Sequence, residues 1–152
     1  MAMKLASPAF AEGGMIPAKH TGDGLDLSPQ LNLEGLPEKA QSIALICDDP
    51  DAPAGTWVHW VLFNWPAKDT NFPQGIPPEK SLANAASQGQ NDFRRIGYGG
   101  PCPPGGTHRY YFKAYALDVR LELAPGQTKA KLLDAMKGHV LAEAQIMGKY
   151  RR

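Results

Sequence analysis

The sequence predicts a mainly β domain with a small helical appendage at its end. Three observations carry that prediction. Sixteen glycines and fourteen prolines are scattered between apolar runs, so turns are frequent and no repeat or low-complexity tract forms. Residues 42–47 and 58–65 are apolar runs of strand length, and residues 109–117 are rich in aromatic side chains. Helical spacing begins only after Pro125-Gly126, so strands come first and helices last, unlike a βαβ chain.

At 152 residues the chain reads as a single domain, 1–152, large enough for a real core. Sixteen basic against fifteen acidic residues give a net charge of +1, which argues against nucleic acid as a partner. No apolar run approaches a membrane span, and residues 1–10 lack the apolar core of a secretory signal, so a cytoplasmic location is expected. Cys47 reads as a small core residue and Cys102 as a loop residue, a disulfide between them being the lesser reading.

Taken in order, residues 4–10 have the length of a first short strand. Gly13-Gly14 turns it, and Met15-Ile16-Pro17 reads as a second, edge strand. Residues 20–29 are a polar surface loop, with His20 read as solvated. Leu31-Asn32-Leu33 alternates until Gly35-Leu36-Pro37 breaks it. Residues 42–47 suit a sheet interior, and 58–65, closed by Pro66, are their antiparallel partner. Residues 68–79 form an irregular connection, 81–92 a loop or short strand, and 94–106 a loop of glycine and proline. In 109–117, alternation puts Tyr111, Lys113, Tyr115 and Leu117 on one face and Tyr110, Phe112 and Ala114 on the other. Residues 119–123 alternate like a half-exposed edge strand. Thr128 N-caps a helix that Gly138 ends, and a second helix is expected over 139–147, with Val140, Leu141, Ala144 and Met147 on one face and His139 at the junction.

The chemistry gathers around Asp48-Asp49-Pro50-Asp51-Ala52-Pro53. An apolar strand runs into three carboxylates, a rigid turn follows, and the next apolar run carries His59. In an extended segment Asp49 and Asp51 share a face, while Asp48 faces away and reads as solvated. His108-Arg109-Tyr110 opens the third strand. Simpler readings exist for each piece: His59 as a core histidine, the aspartates as turn formers, and Arg109 as an ion-pair partner that ties loops together.

Together these motifs resemble the phosphatidylethanolamine-binding protein family, and its prokaryotic Raf kinase inhibitor-like branch in particular. Asp49-Pro50-Asp51-Ala52-Pro53, His59-Trp60, Gly97-Tyr98-Gly99-Gly100-Pro101-Cys102-Pro103-Pro104 and His108-Arg109-Tyr110 carry the resemblance. Ser28-Pro29-Gln30-Leu31, Asn91-Asp92-Phe93, Gly138-His139 and Gly148-Lys149-Tyr150 extend it nearly end to end. The resemblance implies a large central antiparallel sheet packed on a smaller one, with short C-terminal helices. It also implies an anion pocket walled by Asp49, Asp51, His59, Pro101, Pro104, His108 and Tyr110, with Pro103 less certain. Pro53, Gly100 and Arg109 would be its structural support.

Two aspartates repel an anion, so they are expected to brace His59 or His108 in one tautomer and not to grip the ligand. Backbone N–H groups of Gly99, Gly100, Gly105 or Gly106 would approach the anion, with Tyr110 as one further donor. Ala52-Pro53 is a candidate cis bond.

The expected function is a non-catalytic binding protein for phosphate, carboxylate or a phospholipid head group, with no cofactor and no resident metal. A regulatory role against a kinase or serine peptidase, and a homodimer, are implied by the resemblance alone. The alternative is a metal-assisted hydrolase built on the His/Asp cluster.

Overall fold

The structure is a computed structural model that describes residues 2–152. Its strands are β1 (Lys4–Ala6), β2 (Leu31–Glu34), β3 (Ser42–Asp49), β4 (Trp57–Pro66), β5 (Asn71–Phe72), β6 (Ser87–Gln88), β7 (Thr107–Leu117) and β8 (Val140–Arg151). One α-helix, α1 (Lys129–Met136), lies between β7 and β8. A five-stranded antiparallel sheet of order β6-β4-β3-β7-β8 packs on a three-stranded sheet of order β1-β2-β5.

β3 sits at the centre of the large sheet because every one of its residues is buried, whichever face it takes. Ile43, Leu45 and Cys47 point into the main core, where Leu5, Leu31, Leu33 and Phe72 of the small sheet meet Trp60 and Phe112. Ala44 and Ile46 point the other way, against Val61, Phe63 and the α1 residues Leu132 and Met136. Thr128 caps α1 by accepting from the Lys131 N–H, and Gly138 follows its end with φ +80°.

Several expectations need correction. Residues 139–147 form no second helix: His139 lies in a turn and 140–147 belong to β8, paired with β7 from Thr107↔Arg151 to Leu117↔Val140. Without that partner, the outer edge of an eleven-residue strand would be left unpaired along its length. Residues 119–123 form no strand, because the Leu121 backbone is satisfied by the Asn64 side-chain amide, through Leu121 N–H to Oδ1 (2.8 Å) and Nδ2–H to Leu121 O (2.9 Å). Met15 makes only an isolated parallel bridge to Lys149. His20 is not solvated: it is fully buried, donating from Nδ1 to Leu27 O at 2.8 Å. Both cysteines are free, Cys47 buried and Cys102 exposed. No peptide bond among the described residues is cis, Ala52–Pro53 included.

One irregularity positions the site. Cys47 pairs with Trp60 but Asp48 pairs with Val58, so His59 is the extra residue of a β-bulge. Val58 faces the α1 side and Trp60 the main core. The bulge lets His59 and its neighbour Trp60 address the same side of the sheet.

Candidate functional site

β3 ends in two adjacent carboxylates, and strand alternation sends them to opposite faces. Asp48 turns toward α1. It is 1% exposed, not solvated, and is paired with Lys113 (3.2 Å) and Lys129 (2.7 Å). Asp49 turns toward the other face, into a cavity of about 210 Å³ at the end of the sheet.

Both oxygens of Asp49 are engaged. Oδ1 accepts the backbone N–H of Asp51 at 2.7 Å, and Oδ2 accepts from His108 Nδ1 at 2.6 Å. A carboxylate can only accept here, so Nδ1 of His108 carries the hydrogen and Nε2 is the free position. His59 is held in the same sense by a different group. Its Nδ1 donates to the carbonyl of Gly99 at 2.6 Å, and the Gly99 N–H donates back to the His59 carbonyl at 2.9 Å. Burial pushes the His59 pKa below its ordinary value, opposed in part by the Gly99 carbonyl and by the Asp49 charge.

Tyr110 stands between the two imidazoles. Its ring centroid lies 5.1 Å from that of His59, edge-on, and 6.4 Å from that of His108, stacked. Burial, then the nearby Asp49 charge, pushes the Tyr110 hydroxyl well above its ordinary pKa, so it stays a donor. His59, His108 and Tyr110 are 3%, 7% and 1% exposed. Yet His59 Nε2, His108 Nε2 and Tyr110 Oη have no protein partner, and none is sealed away: the buried partnerless side-chain atoms are His20 Nε2 and Trp57 Nε1. The three therefore open onto the cavity that their side chains line.

The remaining wall is apolar: Trp57, Phe93, Pro103 and Pro104, with Ala52, Pro53 and Cys102 completing it. Phe93 is carried by a turn in which Asn91 Oδ1 accepts the Phe93 and Arg95 N–H groups, at 3.0 and 3.2 Å. Asp92 bonds the Val58 backbone from both its N–H and its carboxylate, docking that turn on β4. Phe93 then meets Trp57 (5.5 Å) and His59 (5.3 Å), both edge-on.

Of the residues singled out from sequence, Asp49, His59, Pro104, His108 and Tyr110 line the cavity, as do Pro103 and Pro53. Asp51 and Pro101 do not. Asp51 faces outward and takes Arg109 in a two-pronged pair, both contacts at 2.8 Å, and this partner holds the Asp51 carboxyl below its usual range. Pro101 accepts from Gly22 N–H at 2.9 Å on the far side of its loop. The glycine amides expected to meet an anion are occupied at three of four positions. Gly99 N–H bonds His59, Gly100 N–H bonds Asp26 Oδ1 at 2.7 Å, and Gly106 N–H bonds Arg152 O at 3.3 Å.

Trp57, Phe93, Ala52 and Cys102 were not anticipated as wall residues. Asn91-Asp92-Phe93 did stand out as a motif, but nothing in it says which wall Phe93 joins. Among the described residues no three His, Cys, Asp or Glu side chains gather as a metal-holding group. No helix among them is long and apolar enough to cross a membrane.

Comparison with known proteins places the fold among relatives. The family model described as phosphatidylethanolamine-binding protein matches residues 6–151. A UPF0098 protein of Methanothermobacter thermautotrophicus is 50% identical over 150 residues, covering 99% of each chain. Among solved structures, a phosphatidylethanolamine-binding protein homologue from Chlamydia trachomatis superposes with a TM-score of 0.91 at 43% identity, over 99% of this chain and 98% of that one. Escherichia coli YbcL, described as a member of the mammalian PEBP family, gives 0.90 at 30% identity, over 100% and 99%. With two antiparallel sheets in the same arrangement and a family match across nearly its whole length, the chain belongs to the phosphatidylethanolamine-binding protein family.

Proposed function

We propose that the chain is a non-catalytic binding module whose cavity holds a small oxyanion: phosphate, a carboxylate or a phosphorylated head group. One observation carries the reading. Three side chains at least nine-tenths buried each keep one polar atom without a protein partner, and all three face one cavity. A small molecule entering the cavity would meet three convergent polar atoms that no protein group occupies, the usual mark of a ligand site. The apolar wall of Trp57, Phe93 and the prolines lowers the local polarity and so strengthens hydrogen bonds made there. At about 210 Å³ the cavity is below the range of drug-sized sites, which suits a head group and not a whole lipid.

Against catalysis stands the lack of an activated nucleophile. Asp49 and His108 form a braced dyad and Cys102 lies on the same wall, but no hydrogen bond joins Cys102 to His108 among those the described residues make. Cys47 is sealed in the core, where burial pushes its thiol pKa well up.

Inorganic phosphate should raise the unfolding temperature by mass action, by the equivalent of about 2.7 kcal/mol at a hundredfold excess over Kd. His108→Ala should remove that protection while leaving the far-ultraviolet circular dichroism spectrum unchanged. A variant that phosphate protects as well as the parent would place the ligand elsewhere.

A further inference from the structure

Building on the oxyanion reading, we infer that the cavity takes its ligand with an acidic hydrogen still attached, as a singly ionised phosphonate or phosphomonoester in preference to the dianion. The count of donors and acceptors leads there. His59 donates from Nδ1 to the Gly99 carbonyl, which can only accept, so a neutral ring turns the lone pair of Nε2 to the cavity. The groups that face or act on His59 are Asp49, Asp48, Asp26, Tyr110, His108 and Cys102. None of them bonds Nε2, and burial favours the neutral ring over the imidazolium.

An oxygen without hydrogen placed against Nε2 sets two acceptors face to face in a desolvated site. An O–H placed there donates. Tyr110 Oη–H suits an ionised oxygen, and His108 Nε2, its Nδ1 being held by Asp49, is the third free atom. An acceptor at His59 beside a donor at Tyr110 matches a ligand that keeps one O–H next to a charged oxygen.

Charge points the same way. No lysine or arginine lines the cavity, while the Asp49 carboxylate does. Arg109 is committed to Asp51 and Arg152 to Asp23, outside the walls. The Asp49 carboxylate already places a negative charge beside the site, so a second ligand charge would add repulsion with no lysine or arginine as counter-ion.

The test uses two ligands of one shape. Methylphosphonate as a monoanion keeps one O–H; methanesulfonate, also a monoanion, has none. Isothermal titration calorimetry at about pH 5.5 should find methylphosphonate about tenfold tighter, the worth of one hydrogen bond against one acceptor clash. By about pH 8.5, where methylphosphonate has become largely a dianion, the ratio should have collapsed. His59→Gln, whose amide can donate as well as accept, should narrow the ratio at acid pH. Equal affinities at acid pH, a ratio that grows with pH, or a ratio untouched by His59→Gln would each overturn this inference and leave the oxyanion reading standing. Failure of the parent to bind either ligand at either pH would overturn both.

Discussion

Asp48 and Asp49 are neighbours on one strand, both almost fully buried, and they do opposite things. Asp48 meets two ammonium groups, Lys113 from β7 and Lys129 from α1, and the cluster ends there. Its partners are point charges on flexible stems, and what they add is cohesion between sheet and helix. Asp49 meets an imidazole, a partner with a second nitrogen to spare. A carboxylate that binds one end of a histidine fixes what the other end offers to a visitor. The two buried acids are therefore told apart by the valence left over in their partners, and not by their own burial.

The contrast can be tested in descending order of effect. Asp48→Ala should be the most destabilising, by about 2–3 kcal/mol. That is below the roughly 3–5 kcal/mol of a fully buried broken pair, because the lysine side chains remain 32% and 26% exposed. Urea denaturation reads the loss, and phosphate protection of the folded fraction should persist. Asp49→Asn should lose less stability, about 1–2 kcal/mol, since the amide can still accept one of the two hydrogen bonds. It should nonetheless weaken phosphate binding about tenfold, as expected when a histidine loses the carboxylate that orients it. If Asp48→Ala abolishes binding while Asp49→Asn spares it, the division between the two faces is wrong.

The smallest effect is a pH slope. His20 and His59 both have pKa values lowered in the fold, chiefly by burial, so the unfolded chain takes up their protons first on acidification. Their contribution is whole above about pH 6.5 and is lost as pH falls through their folded values. The Asp51 and Asp23 carboxyls, held down by Arg109 and Arg152, act only in a lower window, below about pH 3.8. Urea midpoints should thus fall between about pH 7 and pH 5, and His59→Gln should flatten that fall while Asp48→Ala preserves it.

The strands that build the centre were legible because burial on both faces leaves an unbroken apolar run, as in β3 and β4. β8 was misread for a definite reason. Val140, Leu141, Ala144 and Met147 fit a helical stripe, but Ala142, Ala144, Ile146 and Tyr150 alternate with Glu143, Gln145 and Lys149 just as well. The open edge of β7 decided between the two patterns, and pairing across sequence is invisible to local periodicity. The site showed a similar divide. Residues with distinctive chemistry, Asp49, His59, His108 and Tyr110, could be named in advance. Asp51 shares the face of Asp49 only if the strand continues, and β3 ends at Asp49, after which the chain turns. Trp57 and Phe93 carry no chemical signature that separates a cavity wall from a core.

Gly99 couples two of these facts. It is forty residues from His59 and fixes that ring through its carbonyl, and a Cβ on it would come within 2.7 Å of the Phe93 ring. One added methyl group would press the aromatic wall inward and shift the carbonyl that selects the imidazole tautomer. On the proposed reading, ligand preference would depend partly on a residue that has no side chain and does not line the cavity. A redesign of the cavity on that reading has to keep Gly99 and its loop as they are.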